Sequence, residues 1–162
     1  MSEYKQFSKK LYDENDQIAK EVALDFLIST GYYKLEIPLK EQKEQYKKQD
    51  FEVILISKNK KVSVEVERKK VWTKSGKWQG WSTIDVPTRK NQSKAKLYVM
   101  INNPGDTIAI TKMKNVLNAD ISTKKTIYTD NEDFFNVELD KFKFYHKKNG
   151  IWENLKKKIK KT

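Results

Sequence analysis

The amino-acid sequence predicts an α/β domain with a mixed central sheet flanked by helices. The first observation is the stretch 13–30, in which apolar residues recur at helical spacing before Gly31. The second is a series of short apolar runs separated by turn signals, which predicts strands. The third is the continuous apolar run at 95–101, which is typical of a strand that is buried on both faces of a sheet.

The remaining elements follow in chain order. A strand is predicted at 32–37 and ends at Pro38, and a charged loop follows it. The other predicted elements are a hairpin at about 50–70, an irregular segment with three tryptophans at 71–94, a turn at 102–105, a strand at 106–111, a short helix at 112–119, late strands at 125–129 and 136–146, and a basic amphipathic helix at about 150–162. Because neither a repeat nor a linker interrupts this order, we expect a single domain over 1–162.

The composition limits the classes of function. The chain has 162 residues, a formal net charge of +12 and no cysteine, so disulfides and thiolate zinc sites are excluded. The charge favours a polyanionic partner, with nucleic acid first. His146 is the only histidine, which argues against a classical catalytic triad, and a Gly-rich phosphate loop is absent from the sequence. We expect a cytoplasmic protein that is not associated with a membrane.

The hairpin at 50–70 collects carboxylates where its two ends meet. Alternation along the strands, combined with a turn at Asn59-Lys60, gathers the valines on one apolar face. That register predicts three pairs on the other face: Asp50 with Lys69, Glu52 with Glu67 and Ile54 with Glu65. Two glutamates directly opposite each other repel, so Lys69, solvent or a bound cation must compensate. Carboxylate oxygens on one face suit a hard divalent ion such as Mg²⁺.

Asp50, followed by Glu67-Arg68-Lys69 at the end of the next strand, resembles the PD-(D/E)XK nuclease superfamily. The resemblance covers about residues 13–101, with weaker likeness to small phage-type members beyond. It implies a restriction-endonuclease-like fold with a helix-strand-strand-strand-helix-strand core. Many members carry a glutamate on the first helix, and Glu21 matches it in position. Gln49 stands where the motif has proline.

The resemblance implies a Mg²⁺-dependent endonuclease that hydrolyses phosphodiester bonds of duplex or branched DNA, with Mn²⁺ able to substitute. Asp50 and Glu67 would hold the metal, and Glu21 would be a direct or water-mediated ligand. Lys69 would orient and activate the attacking water, leaving a 5′-phosphate. Glu65-Val66-Glu67 offers a competing E-x-E motif, so Glu65 is an alternative metal ligand. The sequence does not decide between the E-x-K and E-x-E forms of the motif.

Further residues are candidates for contact with DNA. Arg89, Lys90 and Lys94 fall where the family's substrate-facing helix or loop follows the third strand, and they contact phosphates or belong to a solvated turn. Trp78, with its two neighbouring tryptophans, stacks on unpaired bases or belongs to the core.

Two alternatives to the nuclease remain. A catalytically inactive nucleic-acid-binding protein, perhaps encoded by a phage, would keep the same fold and basic surface. A structural or inhibitory protein would instead bind another protein. The hairpin end would then be an ordinary cross-strand ion pair. Members of the superfamily often dimerise, so a homodimer is an alternative to a monomer.

Overall fold

A computed structural model of the protein describes residues 9–42, 50–88, 90, 93–125 and 131–155, with side chains of the first helix from residue 17 onward. Within these residues three helices and two β-sheets form. The elements are α1 Lys9–Ser29, β1 Tyr33–Lys34, α2 Leu39–Gln42, β2 Phe51–Leu55, β3 Lys60–Lys69, β4 Thr83–Pro87, β5 Leu97–Asn102, β6 Thr107–Lys112, α3 Met113–Leu117, β7 Asp120–Lys124, β8 Glu132–Glu138, β9 Lys143–Lys148 and β10 Ile151–Asn154.

The larger sheet has seven strands in the order β1-β2-β3-β5-β6-β9-β10, and the smaller has the order β4-β8-β7. Within the large sheet β3 and β5 are parallel, and the other neighbouring pairs are antiparallel. The connection from β3 to β5 passes through β4 in the other sheet, as a parallel pair requires a long crossover. The prediction of a mixed α/β sheet is therefore confirmed, and β-structure predominates.

Helix α1 covers one face of the large sheet. Its apolar side packs with alternate residues of β2, β3, β5 and β6 in one cluster. The buried members of this cluster are Ala19, Ala23, Phe26, Leu27, Phe51, Val53, Val64, Val66, Val99, Ile101 and Ile108. None of the helices in the described part of the chain is both long and apolar enough to cross a membrane.

The small sheet covers the other face of the large sheet, where helices were expected. Ile84 and Val86 of β4 and Phe135 of β8 meet Tyr98 and Met100 of β5 in a second buried cluster. The segment before β4 adds fully buried Trp72 to this cluster. A β-layer therefore stands where the prediction placed a flanking helix, because β4 and β8 alternate apolar and polar residues and can cover a sheet face themselves.

The edge next to β2 differs from the prediction. The strand predicted at 32–37 is reduced to the two residues of β1, and α2 forms inside the predicted charged loop. The buried side chain of Gln42 explains this arrangement. Its amide nitrogen donates to the carbonyls of Ile37 (2.7 Å) and Glu52 (3.1 Å), and its oxygen accepts from the Glu52 N–H at 2.7 Å. One side chain thus takes the place of a neighbouring strand beside β2.

The end of the chain differs as well. The prediction of a basic helix at about 150–162 is wrong for its first residues, because Ile151–Asn154 form β10. Asn149 and Gly150 have φ angles of 52° and 79°, and Ile151 pairs with Lys148. Two residues in the left-handed region form the tight turn that matches the twist of a hairpin, and this Asn-Gly signal outweighs the amphipathic pattern. The lysines at 156–158 and 160–161, like the strand predicted at 125–129 from residue 126 onward, lie outside the described residues.

Candidate functional site

The β2–β3 hairpin forms as predicted, but with a different turn. Its loop comprises residues 56–59, and Asn59 closes it in the left-handed conformation with a φ of 45°. The ladder pairs Phe51 with Val64 and Glu52 with Ser63, so the predicted register is wrong by four residues along β3. The shift is even, so each residue keeps its face. The apolar face therefore packs under α1 as expected, while the pairs on the polar face change.

The new register removes one predicted repulsion and creates another. Glu52 no longer opposes Glu67; it faces Ser63, and the ammonium of Lys61 lies 4.0 Å from its carboxylate. Asp50 continues the ladder beside Glu65, with the Asp50 N–H bonded to the Val64 carbonyl at 3.0 Å. The cross-strand pair of like charges is thus Asp50 with Glu65, and Lys69 is not the partner of Asp50.

Asp50 is held firmly in this place. One oxygen of its carboxyl group accepts the backbone N–H of Val66 at 2.6 Å. The pKa of Asp50 is raised to about 7, first by burial and then by its contact with the neighbouring Glu65 carboxyl group. The Val66 N–H and the charge of Lys90 act in the opposite direction without cancelling that rise. Near neutral pH the Asp50 carboxyl group is therefore only about half ionised.

Lys90 provides the positive charge beside the pair. Its ammonium lies 3.4 Å from an oxygen of Glu65, and both side chains are mostly buried, with 20% and 9% of their surface exposed. From the sequence, Lys90 is expected to contact DNA phosphates or to belong to a solvated turn. In the structure its ammonium contacts the carboxylate of Glu65 on β3.

Glu67 is fixed by a residue that the sequence reasoning missed. The hydroxyl of Tyr98, on β5, donates a hydrogen bond to Glu67. Tyr98 is fully buried, and its pKa is raised well above the ordinary value, first by burial and then by the charge of Glu67. The hydroxyl therefore remains protonated and donates. The parallel pairing of β3 with β5 brings these residues together, and a tyrosine in an apolar strand is the only sequence signal that hints at it.

Lys69 lies on the same face as Glu65 and Glu67, because the three residues alternate along β3. Its ammonium is 5.6 Å from the centre of the Trp81 ring. This geometry is a cation–π contact. Lys69 therefore extends from the carboxylates toward the segment that precedes β4.

The structure does not bring Glu21 close to the carboxylates of Asp50, Glu65 and Glu67. Glu21 is exposed on α1 and accepts a hydrogen bond from the side chain of Gln17 at 3.1 Å. Helix α1 packs on the face of β3 that carries Val64 and Val66, whereas Glu65 and Glu67 lie on the opposite face. The expectation of a ligand from the first helix is corrected accordingly.

The other residues that were expected to contact DNA are Trp78, Lys94 and Arg89. Trp78 is only 8% exposed and lies between Trp72 and Trp81, so it is a core residue and the assignment of its ring to DNA is corrected. Lys94 is exposed in the segment that leads into β5. Arg89 lies outside the described residues.

The carboxylate oxygens of Asp50, Glu65 and Glu67 suit a hard divalent ion, although they are not arranged around a single point. In the described parts of the chain, no three or more histidine, cysteine, aspartate or glutamate side chains are arranged to hold a metal. Two carboxyl groups nevertheless meet at Asp50 and Glu65, and the proton that Asp50 retains relieves their repulsion. A divalent cation can replace that proton and draws on the same oxygen atoms. Glu67 would be the third oxygen donor.

Comparison with known proteins found no protein-family model that matches the chain. It also found no significant match among curated proteins or among solved structures.

Proposed function

We propose that the protein is a metal-dependent nuclease that hydrolyses phosphodiester bonds of DNA. The observation that carries this proposal is the meeting of Asp50 and Glu65 across the β2–β3 hairpin, with Glu67 two residues further along the same face. Buried like charges are unfavourable unless a proton, a counter-charge or a bound cation compensates them, and a divalent cation would do so here. A net charge of +12 supports a polyanionic substrate.

The order of elements supports a PD-(D/E)XK-like core. Helix α1 precedes β1, β2 and β3, which are adjacent and antiparallel, and β5 lies parallel to β3. The departure is the connection from β3 to β5, where β4 stands in the place of the helix that the family has. A restriction-endonuclease-like fold is therefore part of the proposal.

The register favours the E-x-E form of the motif. Asp50 lies beside Glu65, and Glu65-Val66-Glu67 continues along β3. Lys69 is two residues further on and contacts Trp81, so we assign it to the substrate and not to the metal.

The residues have separate roles in this proposal. Asp50, Glu65 and Glu67 would hold Mg²⁺ or Mn²⁺, which would activate a water molecule and neutralise charge on the phosphate. The Val66 N–H fixes one Asp50 oxygen, and the Tyr98 hydroxyl fixes Glu67. Lys90 compensates the charge of Glu65.

The test is cleavage of labelled DNA with Mg²⁺, Mn²⁺ or EDTA by the full chain and three variants. Asp50→Asn and Glu65→Gln keep the shape of each side chain and remove one charge, so we expect at least a 100-fold loss of rate. Glu52→Gln is the matched control, because Glu52 lies on the same face of the hairpin and is paired with Lys61. We expect that variant to keep its rate. Cleavage that survives both Asp50→Asn and Glu65→Gln would refute the site.

A second candidate is a nucleic-acid-binding protein that does not cleave. The contacts of Lys90 with Glu65 and of Tyr98 with Glu67 favour it, because each compensates a carboxylate without a metal. This candidate predicts DNA binding at low salt and no cleavage with either metal. Isothermal titration with Mn²⁺ provides a further distinction. The non-cleaving candidate predicts that replacement of Asp50 leaves Mn²⁺ binding unchanged, whereas the nuclease predicts a loss of binding.

A further inference from the structure

The segment before β4, residues 71–82, presents one aromatic ring to solvent. We name it the tryptophan loop. Trp72 and Trp78 are buried, with 0% and 8% of their surface exposed, whereas Trp81 is 40% exposed. The loop therefore displays a large flat side chain on a support of two others.

The support of Trp81 is rigid. The Trp78 ring meets the Trp81 ring edge to face at 5.4 Å, and the Trp78 indole N–H donates to the Trp81 carbonyl at 2.7 Å. Beneath it, the indole N–H of Trp72 donates to the Lys77 carbonyl at 2.9 Å. A ring held in this way loses little conformational entropy when a ligand stacks on it.

Side-chain and backbone hydrogen bonds tie the rest of the loop to the domain. The side-chain oxygen of Gln79 accepts the N–H groups of Thr73 (3.0 Å) and Lys74 (3.2 Å). The Gly76 N–H donates to the hydroxyl of Thr107, on β6, at 2.8 Å. The exposed ring therefore belongs to a fixed platform.

One lysine contacts this platform, and three more are exposed near it in the chain. The ammonium of Lys69 lies 5.6 Å from the centre of the Trp81 ring, and Lys70, Lys74 and Lys77 are exposed close by in the chain. Lys69 is two residues from Glu67 on the same face of β3, which separates their Cα atoms by roughly 7 Å. Lys69 therefore links the platform to the strand that carries Glu65 and Glu67.

We propose that the tryptophan loop binds an unpaired nucleotide, with its base stacked on Trp81 and its phosphates next to the lysines. A base that takes the ring face displaces the Lys69 ammonium, which then pairs with the adjacent phosphate. Every base has a flat face, so the site accepts any sequence but requires an unpaired strand. The proposal rests on the proposed function for its second part, that the substrate is DNA with a single-stranded segment beside the cleaved bond.

Binding without metal tests the first part alone. The full chain and its variants are titrated in EDTA and low salt with a fluorescent 12-nucleotide oligothymidylate and with a 12-base-pair duplex. We expect Trp81→Ala to weaken binding of the single strand by about 5- to 150-fold and to leave duplex binding nearly unchanged. Trp81→Phe, which keeps a smaller ring, should retain part of the affinity. Tyr32→Ala is the matched control, because Tyr32 is an aromatic residue that is 67% exposed elsewhere on the surface.

The outcomes separate this proposal from the proposed function. A loss for Trp81→Ala no larger than for Tyr32→Ala overturns the platform, whether or not the protein cleaves DNA. A selective loss without cleavage under any metal keeps the platform and overturns the nuclease. Both parts are supported if cleavage requires Asp50 and if the preference for DNA with a single-stranded segment is lost in Trp81→Ala. Circular dichroism of each variant excludes unfolding as the cause.

Discussion

Replacement of Asp50 by asparagine should make the protein more stable at neutral and alkaline pH. Asparagine has the same shape, and its side-chain oxygen can still accept the Val66 N–H that Asp50 accepts at 2.6 Å. Its amide nitrogen can donate to Glu65, where the native carboxyl group is repelled. The substitution therefore removes an unfavourable buried charge and keeps the hydrogen bond.

The size of the effect follows from the pKa of Asp50. In the folded protein it is about 7, against an ordinary value of 3.8. Each pH unit corresponds to about 1.4 kcal/mol, so the ionised carboxylate costs at most about 4 kcal/mol. The folded protein keeps a proton that the unfolded chain releases, so this cost develops as pH rises from about 4 to 7. Above pH 7 all of it is present.

Urea denaturation, followed by tryptophan fluorescence at pH 4 and pH 8, measures the difference. We expect Asp50→Asn to have a larger free energy of unfolding than the native chain by about 2–4 kcal/mol at pH 8 and to be nearly equal at pH 4. Carboxyl groups distant from Asp50 are common to both proteins, so their titration cancels in the difference. A variant that is less stable than the native chain at pH 8, or a difference that does not depend on pH, would refute the electrostatic argument.

Two further predictions concern stability away from the site. Gln42→Ala leaves the N–H and carbonyl of Glu52 without their side-chain partner, so we expect a loss of about 2 kcal/mol by urea denaturation; a loss below about 0.5 kcal/mol would mean that water replaces the amide. Asp25 accepts from the Lys147 ammonium at 2.7 Å and the Trp152 indole at 3.0 Å, and the Lys147 hydrogen bond is the main cause of its lowered pKa. The pair is exposed, so we expect Asp25→Ala to cost only about 0.5–1 kcal/mol at pH 7, and this difference should vanish as pH falls well below 3.8. A difference at pH 2.5 as large as at pH 7 would contradict the role of the carboxylate.

The sequence predicts those parts of the fold that depend on local pattern. Alternation along β2 and β3 identifies which residues share a face, and the turn at 102–105 separates β5 from β6 as expected. Helical spacing predicts α1 and α3. These signals lie within about ten residues of each other, so one chain segment carries all the information.

Parts that depend on distant contacts are not predicted. The parallel pairing of β3 with β5 and the packing of β4 against β8 join segments that are far apart in the chain. For this reason Tyr98 and the small sheet were missed. The prediction of the hairpin register was wrong for a different reason. The hydrophobic pattern fits a turn at Asn59-Lys60 and a loop at 56–59 equally well, and the left-handed conformation of Asn59 decides for the second.

The register has a consequence for the origin of the carboxylate pair. Had Asp50 faced Lys69, an attractive ion pair would have needed no further explanation. In the structure it faces Glu65, and the apolar residues of the hairpin would pack equally well without either charge. The interaction lowers stability by an amount that asparagine at position 50 should restore. Asparagine would keep the hydrogen bond without the repulsion, and the proposed function gives the second acid a role, because a divalent cation would draw on the oxygen atoms of both carboxylates.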